Sequence, residues 1–237
     1  MAQLNAASIA LIFDMDGTMI DSMPHHTQSW LEFARRHGVV MDVVELMRRT
    51  TGRTGTECMG ELFGRTMSTD EALPLVHEKE LIYRELFAPV FREVKGFKAF
   101  AVKAQALGFK IGVGTAGDAV NVAFAMAHLQ MQNPPAVIVR GDQGLKGKPD
   151  PAIFLKAEHD LRALDQHAMN LNTLTSASIV FEDAPFGIEA ARRAGMRAVA
   201  ICTSHTAAEL AGPHVIAAVR DYTELAPDFL DKLLTES

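Results

Sequence analysis

An apolar run that ends in two carboxylates is the feature that most limits how this chain can fold. Residues 9–13 are Ile-Ala-Leu-Ile-Phe, and Asp14-Met15-Asp16-Gly17-Thr18 follows directly. A continuous apolar run of this length is typical of a strand buried on both faces of a parallel sheet. Open α/β sheets place their chemistry at the carboxyl ends of such strands. Two carboxylates there repel each other unless a cation lies between them or one of them reacts. The alternative is a strand followed by an ordinary Asp-Gly turn.

Five further apolar runs alternate with helical patterns along the rest of the chain. The predicted strands cover residues 109–113, 136–139, 178–181, 198–201 and 215–219. The helical patterns cover residues 97–107, 119–129, 154–164 and 187–194. This alternation predicts an α/β fold, a Rossmann-like parallel sheet with helices on both faces.

Residues 23–92, between the first and second predicted strands, contain only helical patterns. They cover residues 27–37, 42–50, 57–63 and 69–91. We therefore predict an all-helical cap domain of residues 23–92, inserted into a core domain of residues 1–22 and 93–237. A cap on two linkers beside the strand ends is suited to open and close over a ligand. The polar stretch from His159 to Ser178 predicts the end of a helix and then a loop of no evident purpose.

The composition disfavours several classes of protein. The 237 residues have a formal net charge of −6 and no basic cluster, which disfavours nucleic acid or an anionic membrane as a partner. No apolar run is long enough to span a bilayer, and the first residues lack the pattern of a secretory signal. Two distant cysteines fit reduced thiols better than a disulfide framework. We expect a cytoplasmic protein, monomeric by default, that acts on a small molecule.

Polar residues also follow the second, third and fourth predicted strands. Thr115 ends the second strand, Lys148 follows the third, and Glu182 and Asp183 end the fourth. Because the carboxyl ends of parallel strands meet at one edge of the sheet, these side chains should converge with the first acidic pair. Their types fit phosphoryl transfer, in which Mg²⁺ neutralises both an anionic substrate and the carboxylates around it.

Each of these residues has a role in that hypothesis. Asp14 attacks phosphorus, and Asp16 protonates the leaving oxygen and then takes a proton from water. Lys148 supplies a fixed positive charge and Thr115 a hydroxyl donor. The later acidic pair supplies the remaining metal oxygens. Taken singly, each residue also has a structural explanation: a solvated loop lysine, a turn threonine, or acids at a helix N-terminus.

Together these motifs resemble the haloacid dehalogenase superfamily, in its phosphatase branch with a helical cap. The motifs are Asp14-Met15-Asp16-Gly17-Thr18, Thr115, Lys148-Pro149 and Phe181-Glu182-Asp183. The resemblance covers nearly the whole chain and implies the same nucleophile, acid/base residue and two phosphate ligands. It also implies a Mg²⁺ ion held by Asp14, the Asp16 carbonyl and Asp183, with Glu182 close by or also a ligand.

Within that superfamily the chain resembles the β-phosphoglucomutase-like group, which includes small sugar phosphatases. His26 matches a hinge histidine of that group, and Lys79 and Tyr83 match a Lys…Tyr pair of its cap. Gly55 stands where the mutase has a cap arginine, and Glu80 where it has an asparagine. Since the mutase residues grip the second phosphate of a bisphosphate intermediate, their loss favours hydrolysis.

We therefore predict a Mg²⁺-dependent phosphatase of a small sugar or polyol phosphate, acting through a phospho-aspartyl intermediate on Asp14. The candidate substrate-binding residues are Ala116, Gly117, His26, Arg53, Lys79 and Glu80. Two of these assignments have alternatives: His26 as a helix N-terminal residue without substrate contact, and Glu80 paired with Arg84 on a solvated helix face. The alternative functions are a sugar phosphomutase, a non-catalytic binding protein of the same fold, and a dehalogenase.

One further motif points elsewhere. Residues 112–117, Gly-Val-Gly-Thr-Ala-Gly, match the dinucleotide-binding pattern G-x-G-x-x-G between a strand and a helix. That pattern normally opens the first β-α-β unit of a fold, whereas here it lies in the second. A dehydrogenase would also leave the acidic motifs unexplained. We expect these glycines to let backbone amides approach a phosphate.

Overall fold

The computed structural model describes residue 6, residues 9–164 and residues 178–235. The strands in this part of the chain are β1 (Ala10–Phe13), β2 (Lys110–Thr115), β3 (Val137–Arg140), β4 (Ile179–Glu182), β5 (Arg197–Ile201) and β6 (Val215–Val219). They form one parallel sheet in the order β3-β2-β1-β4-β5-β6. The predicted fold class is confirmed. Most of the loop predicted between His159 and Ser178 lies outside the described residues, as do most of the first residues.

The regular structure of residues 23–92 is helical, as predicted for the cap. Its helices are α1 (Met23–His37), α2 (Val43–Thr50), α3 (Gly55–Phe63) and α4 (Thr69–Phe87). Asp42, Thr54 and Ser68 each accept a backbone N–H at the start of a helix, which satisfies donors that the helix leaves free. The cap has an apolar core of its own, which includes Trp30, Phe33, Leu46, Met59 and Ile82.

Two cap helices have boundaries that differ from the prediction. α1 begins at Met23 instead of Thr27, because Pro24 fits the first turn of a helix, where its missing N–H is not needed. α4 ends at Phe87 instead of Phe91, and a 3-10 turn over Ala88–Val90 follows it. This turn contains Pro89, which has no N–H to continue the α-helical hydrogen bonds. The exact division of the chain into cap and core residues stays a prediction.

Alternate residues of β1 face two apolar layers of the core. The remaining helices are α5 (Phe97–Ala106), α6 (Ala119–Leu129), α7 (Ala152–Ala163), α8 (Pro185–Arg193) and α9 (Phe229–Thr235). Leu11 and Phe13 pack in the layer of α5, α6 and α9, whereas Ala10 and Ile12 pack in the layer of α7 and α8. Burial on both faces explains why the run is apolar at every position. The short α9 was not predicted from the sequence pattern.

The glycines of β2 serve helix packing. A Cβ on Gly112 would lie 2.8 Å from Cδ1 of Leu161, and one on Gly114 would lie 2.9 Å from Cδ1 of Phe154. Both contacts are too close for a side chain, so these glycines let α7 pack directly on the sheet. They therefore explain the first two glycines of the dinucleotide-like pattern without a nucleotide, and our expectation for these two is wrong. For Gly117 the expectation stays a prediction.

The strand order places the two acidic motifs side by side. β2 and β3 lie on one side of β1, whereas β4, β5 and β6 lie on the other, so the order reverses between β1 and β4. Open α/β sheets bind ligands beyond the carboxyl ends of the strands at such a point. Phe13 pairs with Phe181, and the Asp14 N–H donates to the Phe181 carbonyl at 3.0 Å. Asp14 and Asp183 therefore leave adjacent strands at the switch point.

Candidate active site

The sequence-predicted site residues meet in one cavity between the carboxyl edge of the sheet and the cap. Those that line it are Asp14, Asp16, His26, Arg53, Lys79, Glu80, Thr115, Ala116, Gly117, Glu182 and Asp183. Lys148 is buried in contact with Asp14 and does not line the cavity. Part of the cap wall is apolar and includes Trp30, Met47 and Met59.

Lys148 lies between two buried carboxylates. Its Nζ donates to Oδ1 of Asp14 and, at 2.7 Å, to Oε1 of Glu182. Burial would lower the pKa of Lys148, but the charges of Asp14 and Glu182 raise it above its ordinary value. The ammonium group therefore stays charged, although the residue is only 1% exposed.

Glu182 has both of its carboxylate oxygens engaged by the protein. Oε1 accepts from Lys148, and Oε2 accepts from the N–H of Ala184 at 2.8 Å. A Cβ on Gly187 would overlap the Glu182 carboxyl group, so the acid fills a space that only glycine leaves open in α8. These contacts favour Glu182 as the residue that holds Lys148 in place over a role as a direct metal ligand.

The carboxylate of Asp183 reaches beneath the turn at Gly17. Gly17 has a φ of +78°, and a Cβ there would overlap Oδ2 of Asp183. That oxygen is buried and has no hydrogen-bond partner among the described residues. A buried carboxylate oxygen without a partner is costly, and an ion or a water bound to it would offset that cost.

The switch point holds three buried carboxyl groups around one buried ammonium group. The carboxylates of Asp14, Glu182 and Asp183 are each at most 6% exposed, and Lys148 is the cation in contact with the first two. Burial raises the pKa of Asp14 to about 8, with Lys148 opposing the rise and Glu182 adding to it. Burial, followed by the charges of Glu182 and Asp14, raises the pKa of Asp183 well above its usual range.

These residues fit a hard divalent cation such as Mg²⁺. Its ligands would be carboxylate oxygens of Asp14 and Asp183 and the main-chain carbonyl of Asp16, all of the oxygen type that Mg²⁺ prefers. A cation there would favour the ionised form of these carboxyl groups and would satisfy Oδ2 of Asp183. In the part of the chain that the structure describes, no group of three or more His, Cys, Asp or Glu side chains forms a metal site by itself.

One oxygen of Asp16 is surrounded by three donors. Oδ1 accepts from Oγ of Ser22 at 2.7 Å, and it lies 3.2 Å from Nε2 of His26 and 3.3 Å from the Tyr83 hydroxyl. The rings of His26 and Tyr83 stack with centroids 3.8 Å apart, which fixes the position of both donors. Burial alone would raise the pKa of Asp16, but His26 and the hydrogen bonds lower it below its ordinary value. These bonds all end on Oδ1, so Oδ2 takes part in none of them.

The second strand contributes a turn at the edge of the same cavity. Oγ1 of Thr115 accepts from the N–H of Gly117 at 3.0 Å, and Thr115 is only 1% exposed. Ala116 and Gly117 line the cavity beside it. The turn precedes α6, whose N-terminus adds a partial positive charge next to the cavity.

Three polar side chains of α4, those of Lys79, Glu80 and Arg84, do not lie on a solvated face. Nζ of Lys79 donates to Oε1 of Glu80 at 2.9 Å and lies 2.7 Å from Nδ1 of His26. Oε2 of Glu80 accepts from Nδ2 of Asn121 at 2.7 Å, and Nη1 of Arg84 donates to Oδ1 of Asn121 at 2.6 Å. The alternative of a solvated Glu80–Arg84 pair is therefore wrong, because both side chains form hydrogen bonds with Asn121 of α6.

Sequence reasoning missed two residues that the site uses. Ser22 stands at the N-cap of α1 but makes no capping hydrogen bond, since its hydroxyl donates to Asp16 instead. Asn121 lies in the first turn of α6, and its partners Glu80 and Arg84 are 41 and 37 residues away along the chain. Neither residue has a local sequence signal that distinguishes it from an ordinary helix-terminal polar residue.

Comparison with known proteins agrees with this geometry. The family model described as haloacid dehalogenase-like hydrolase matches residues 11–201, which extend from β1 to the end of β5. The chain belongs to this family. The match includes both acidic motifs, Thr115, Lys148 and the cap.

Among characterised relatives, this haloacid dehalogenase-like hydrolase is similar to several phosphatases. It is 33% identical to validoxylamine A 7'-phosphate phosphatase of Streptomyces hygroscopicus subsp. limoneus, over 90% of this chain and 94% of that protein. It is 28% identical to fructose-1-phosphate phosphatase of Escherichia coli (strain K12), over 80% of this chain and 94% of that protein. The protein is thus a phosphoric monoester hydrolase that acts on a small phosphate ester.

Solved structures show the same fold. A HAD hydrolase of family IA, variant 3, from Entamoeba histolytica superposes with a TM-score of 0.77 at 26% identity, covering 95% of this chain and 99% of that one. β-Phosphoglucomutase from Clostridium difficile also superposes with a TM-score of 0.77, at 23% identity over 96% of this chain and 97% of that one. At the latter identity the similarity concerns the fold alone. Among the described residues of this hydrolase, no helix is both long and apolar enough to cross a bilayer.

Proposed function

We propose that this protein is a Mg²⁺-dependent phosphatase that hydrolyses a sugar or polyol phosphate through a phospho-aspartyl intermediate on Asp14. The position of Asp14 carries the proposal: a buried carboxylate at the switch point, held by Lys148, facing the cavity beside Asp16. The relatives named for validoxylamine A 7'-phosphate and fructose 1-phosphate support a phosphorylated carbohydrate or a similar polyhydroxylated ester.

In the first step, the Asp14 oxygen that Lys148 does not hold attacks phosphorus and forms a new O–P bond. The ester P–O bond breaks, and the leaving oxygen takes a proton from Asp16. A bound phosphate brings negative charge next to Asp16 and thereby favours the protonated form that this step needs. Ser22, His26 and Tyr83 hold Asp16 by its other oxygen.

In the second step, water attacks the phosphorus of the aspartyl phosphate and gives its proton to Asp16. The Asp14 O–P bond breaks, which releases inorganic phosphate and restores both carboxylates to their starting states. In both steps Lys148 and the turn at Thr115 stabilise charge on the phosphoryl oxygens. When bound to Asp14, Asp183 and the Asp16 carbonyl, Mg²⁺ supplies the positive charge that offsets repulsion between carboxylate and phosphate.

The cap favours hydrolysis over a phosphomutase reaction. A mutase must also hold the second phosphate of a bisphosphate, which requires cations on the cap side of the cavity. Arg53 donates to Glu61 at 3.0 Å, and Lys79 donates to Glu80 at 2.9 Å, so both cap cations that line the cavity pair with a carboxylate. Gly55 contributes no side chain where the mutase has an arginine.

A phosphate-release screen over sugar and polyol phosphates, with Mg²⁺ and with a chelator, tests the proposal. We expect release from at least one such ester, dependent on Mg²⁺ and lost in Asp14→Asn. Acid quenching during turnover should leave one phosphoryl group on the peptide that contains Asp14. Turnover by Asp14→Asn equal to wild type would contradict the proposed nucleophile. Isomerisation of β-glucose 1-phosphate with a bisphosphate primer, faster than any phosphate release, would instead assign a phosphomutase.

A further inference from the structure

The amide of Asn121 is clamped between two charged side chains of the cap. On one side Nδ2 donates to Oε2 of Glu80 at 2.7 Å, and on the other Oδ1 accepts from Nη1 of Arg84 at 2.6 Å. Glu80 and Arg84 are one helical turn apart on α4, whereas Asn121 belongs to α6 of the core and is only 3% exposed. This cluster, the Asn121 clamp, is therefore formed only while the cap is docked on the core.

The clamp requires a side chain that donates and accepts at the same time. An amide does both, whereas a carboxylate at position 121 would face the carboxylate of Glu80, and an apolar side chain would leave Oε2 of Glu80 and Nη1 of Arg84 without this partner. Burial would raise the pKa of Glu80, but Lys79 and the hydrogen bond from Asn121 lower it, so Glu80 remains charged. The clamp is thus specific in its chemistry as well as in its shape.

The clamp continues as a chain of hydrogen bonds to the proposed acid/base residue. The second oxygen of Glu80 accepts from Nζ of Lys79 at 2.9 Å, and that Nζ lies 2.7 Å from Nδ1 of His26. Nε2 of His26 lies 3.2 Å from Oδ1 of Asp16. No substrate atom is needed for any of these contacts.

We propose that Asn121 is a positioning residue that aligns Asp16 for proton donation when the cap is docked on the core. Its effect passes through Glu80 and Lys79 to His26, so an undocked cap leaves Asp16 without its full set of donors. The proposal rests on the function proposed above, because it assumes that Asp16 protonates the leaving oxygen. It goes beyond that function in making proton donation depend on a residue of the core helix α6.

The test compares two classes of ester. A sugar phosphate, taken as the best substrate of the screen, has an alkoxide leaving group that needs a proton, whereas p-nitrophenyl phosphate releases a stable phenolate that does not. A residue that acts through Asp16 therefore affects kcat/KM for the first ester more than for the second. A residue that only supports the fold affects both alike.

The variants are Asn121→Asp, Glu80→Gln and the double variant that carries both. The double variant exchanges amide and carboxylate, so that position 80 donates and position 121 accepts, with the charge of the pair unchanged. Asn133→Asp makes the same chemical change at an exposed position outside the cavity and serves as the matched control.

We expect Asn121→Asp to lower kcat/KM for the sugar phosphate at least about tenfold more than for p-nitrophenyl phosphate, within the range that general acid catalysis contributes. Glu80→Gln should also lower kcat/KM for the sugar phosphate more than for p-nitrophenyl phosphate. This variant keeps the test decisive if Asn121→Asp does not fold. The double variant should regain most of the loss, and Asn133→Asp should match wild type. The positioning role would be overturned if the single variants lost kcat/KM equally on both esters or lost none. It would also be overturned if the double variant regained no activity. Activity that survives Asp14→Asn would instead overturn the proposed function.

Discussion

Nζ of Lys79 lies 2.7 Å from Nδ1 of His26. An ammonium group can only donate, so Nδ1 must accept, and the hydrogen of His26 must be on Nε2. Nε2 is the atom that faces Oδ1 of Asp16, at 3.2 Å. The same ammonium lies 4.9 Å from the centre of the Trp30 ring, which restricts its position further. We infer that Lys79 orients His26 toward Asp16 and contributes more in this way than by gripping a phosphate.

A double-mutant cycle tests this relationship between Lys79 and His26. We expect Lys79→Met and His26→Ala each to lower kcat/KM for a sugar phosphate by about 10- to 100-fold, since each disturbs Asp16, the proposed acid/base residue. Both residues act on Asp16 along one path. The kcat/KM of the double variant should therefore be no lower than that of the less active single variant. Losses that multiply in the double variant would show that the two residues act independently.

Lys148→Met should destabilise the protein strongly. The substitution removes the ammonium that contacts both Asp14 and Glu182 and leaves two buried carboxylates without it. Breaking a buried ion pair by removing one partner costs about 3–5 kcal/mol. Urea unfolding at neutral pH with a chelator present measures the loss. Lys156→Met is the matched control, because its pair with Asp160 lies at the surface, where such a pair is worth about 1 kcal/mol or less. Equal losses in the two variants would contradict this account of Lys148.

Mg²⁺ should stabilise the folded protein in the absence of substrate. A cation that binds only the native state raises its stability by RT ln(1 + [L]/Kd), so the melting temperature should rise with Mg²⁺ concentration. Asp183→Asn removes one proposed carboxylate ligand and should weaken this dependence. Asp150→Asn, which changes an acid that does not line the cavity, should respond as wild type does. A melting temperature of wild type that is independent of Mg²⁺ would exclude a cation site at the switch point.

The sheet and the main acidic motifs could be predicted from the sequence because their signals are local. The apolar run ending at Asp14 and the alternation of strands and helices determine the carboxyl edge, and parallel topology then brings Asp183 beside Asp14. The helices of the cap could be predicted as well, because their apolar periodicity and capping residues lie within each segment.

The cap–core contacts could not be predicted in the same way. Whether Glu80 faces solvent or the core depends on how α4 docks against α6, and no pattern within either helix specifies that docking. The packing role of Gly112 and Gly114 likewise depends on side chains of α7 that come some 40–50 residues later in the chain. Ser22 is at the N-cap of α1, but its hydroxyl donates to Asp16 and makes no capping hydrogen bond. A prediction from the local sequence therefore assigns this residue wrongly.

Asp14 should make the metal-free protein less stable as the pH rises. Burial raises the pKa of Asp14 from 3.8 to about 8, so the folded protein binds a proton more tightly there than the unfolded chain does. The contribution of this group to stability is therefore complete below pH 3.8 and is lost progressively as the pH rises to about 8. Asp14→Asn has no such group, and its free energy of unfolding relative to wild type should increase between pH 5 and 8 with a chelator present.

Urea unfolding of both proteins across this range measures the difference. Added Mg²⁺ should reduce it, because a cation at the switch point favours the ionised carboxylate. A difference that stays constant or shrinks with rising pH in the chelator would contradict the raised pKa of Asp14.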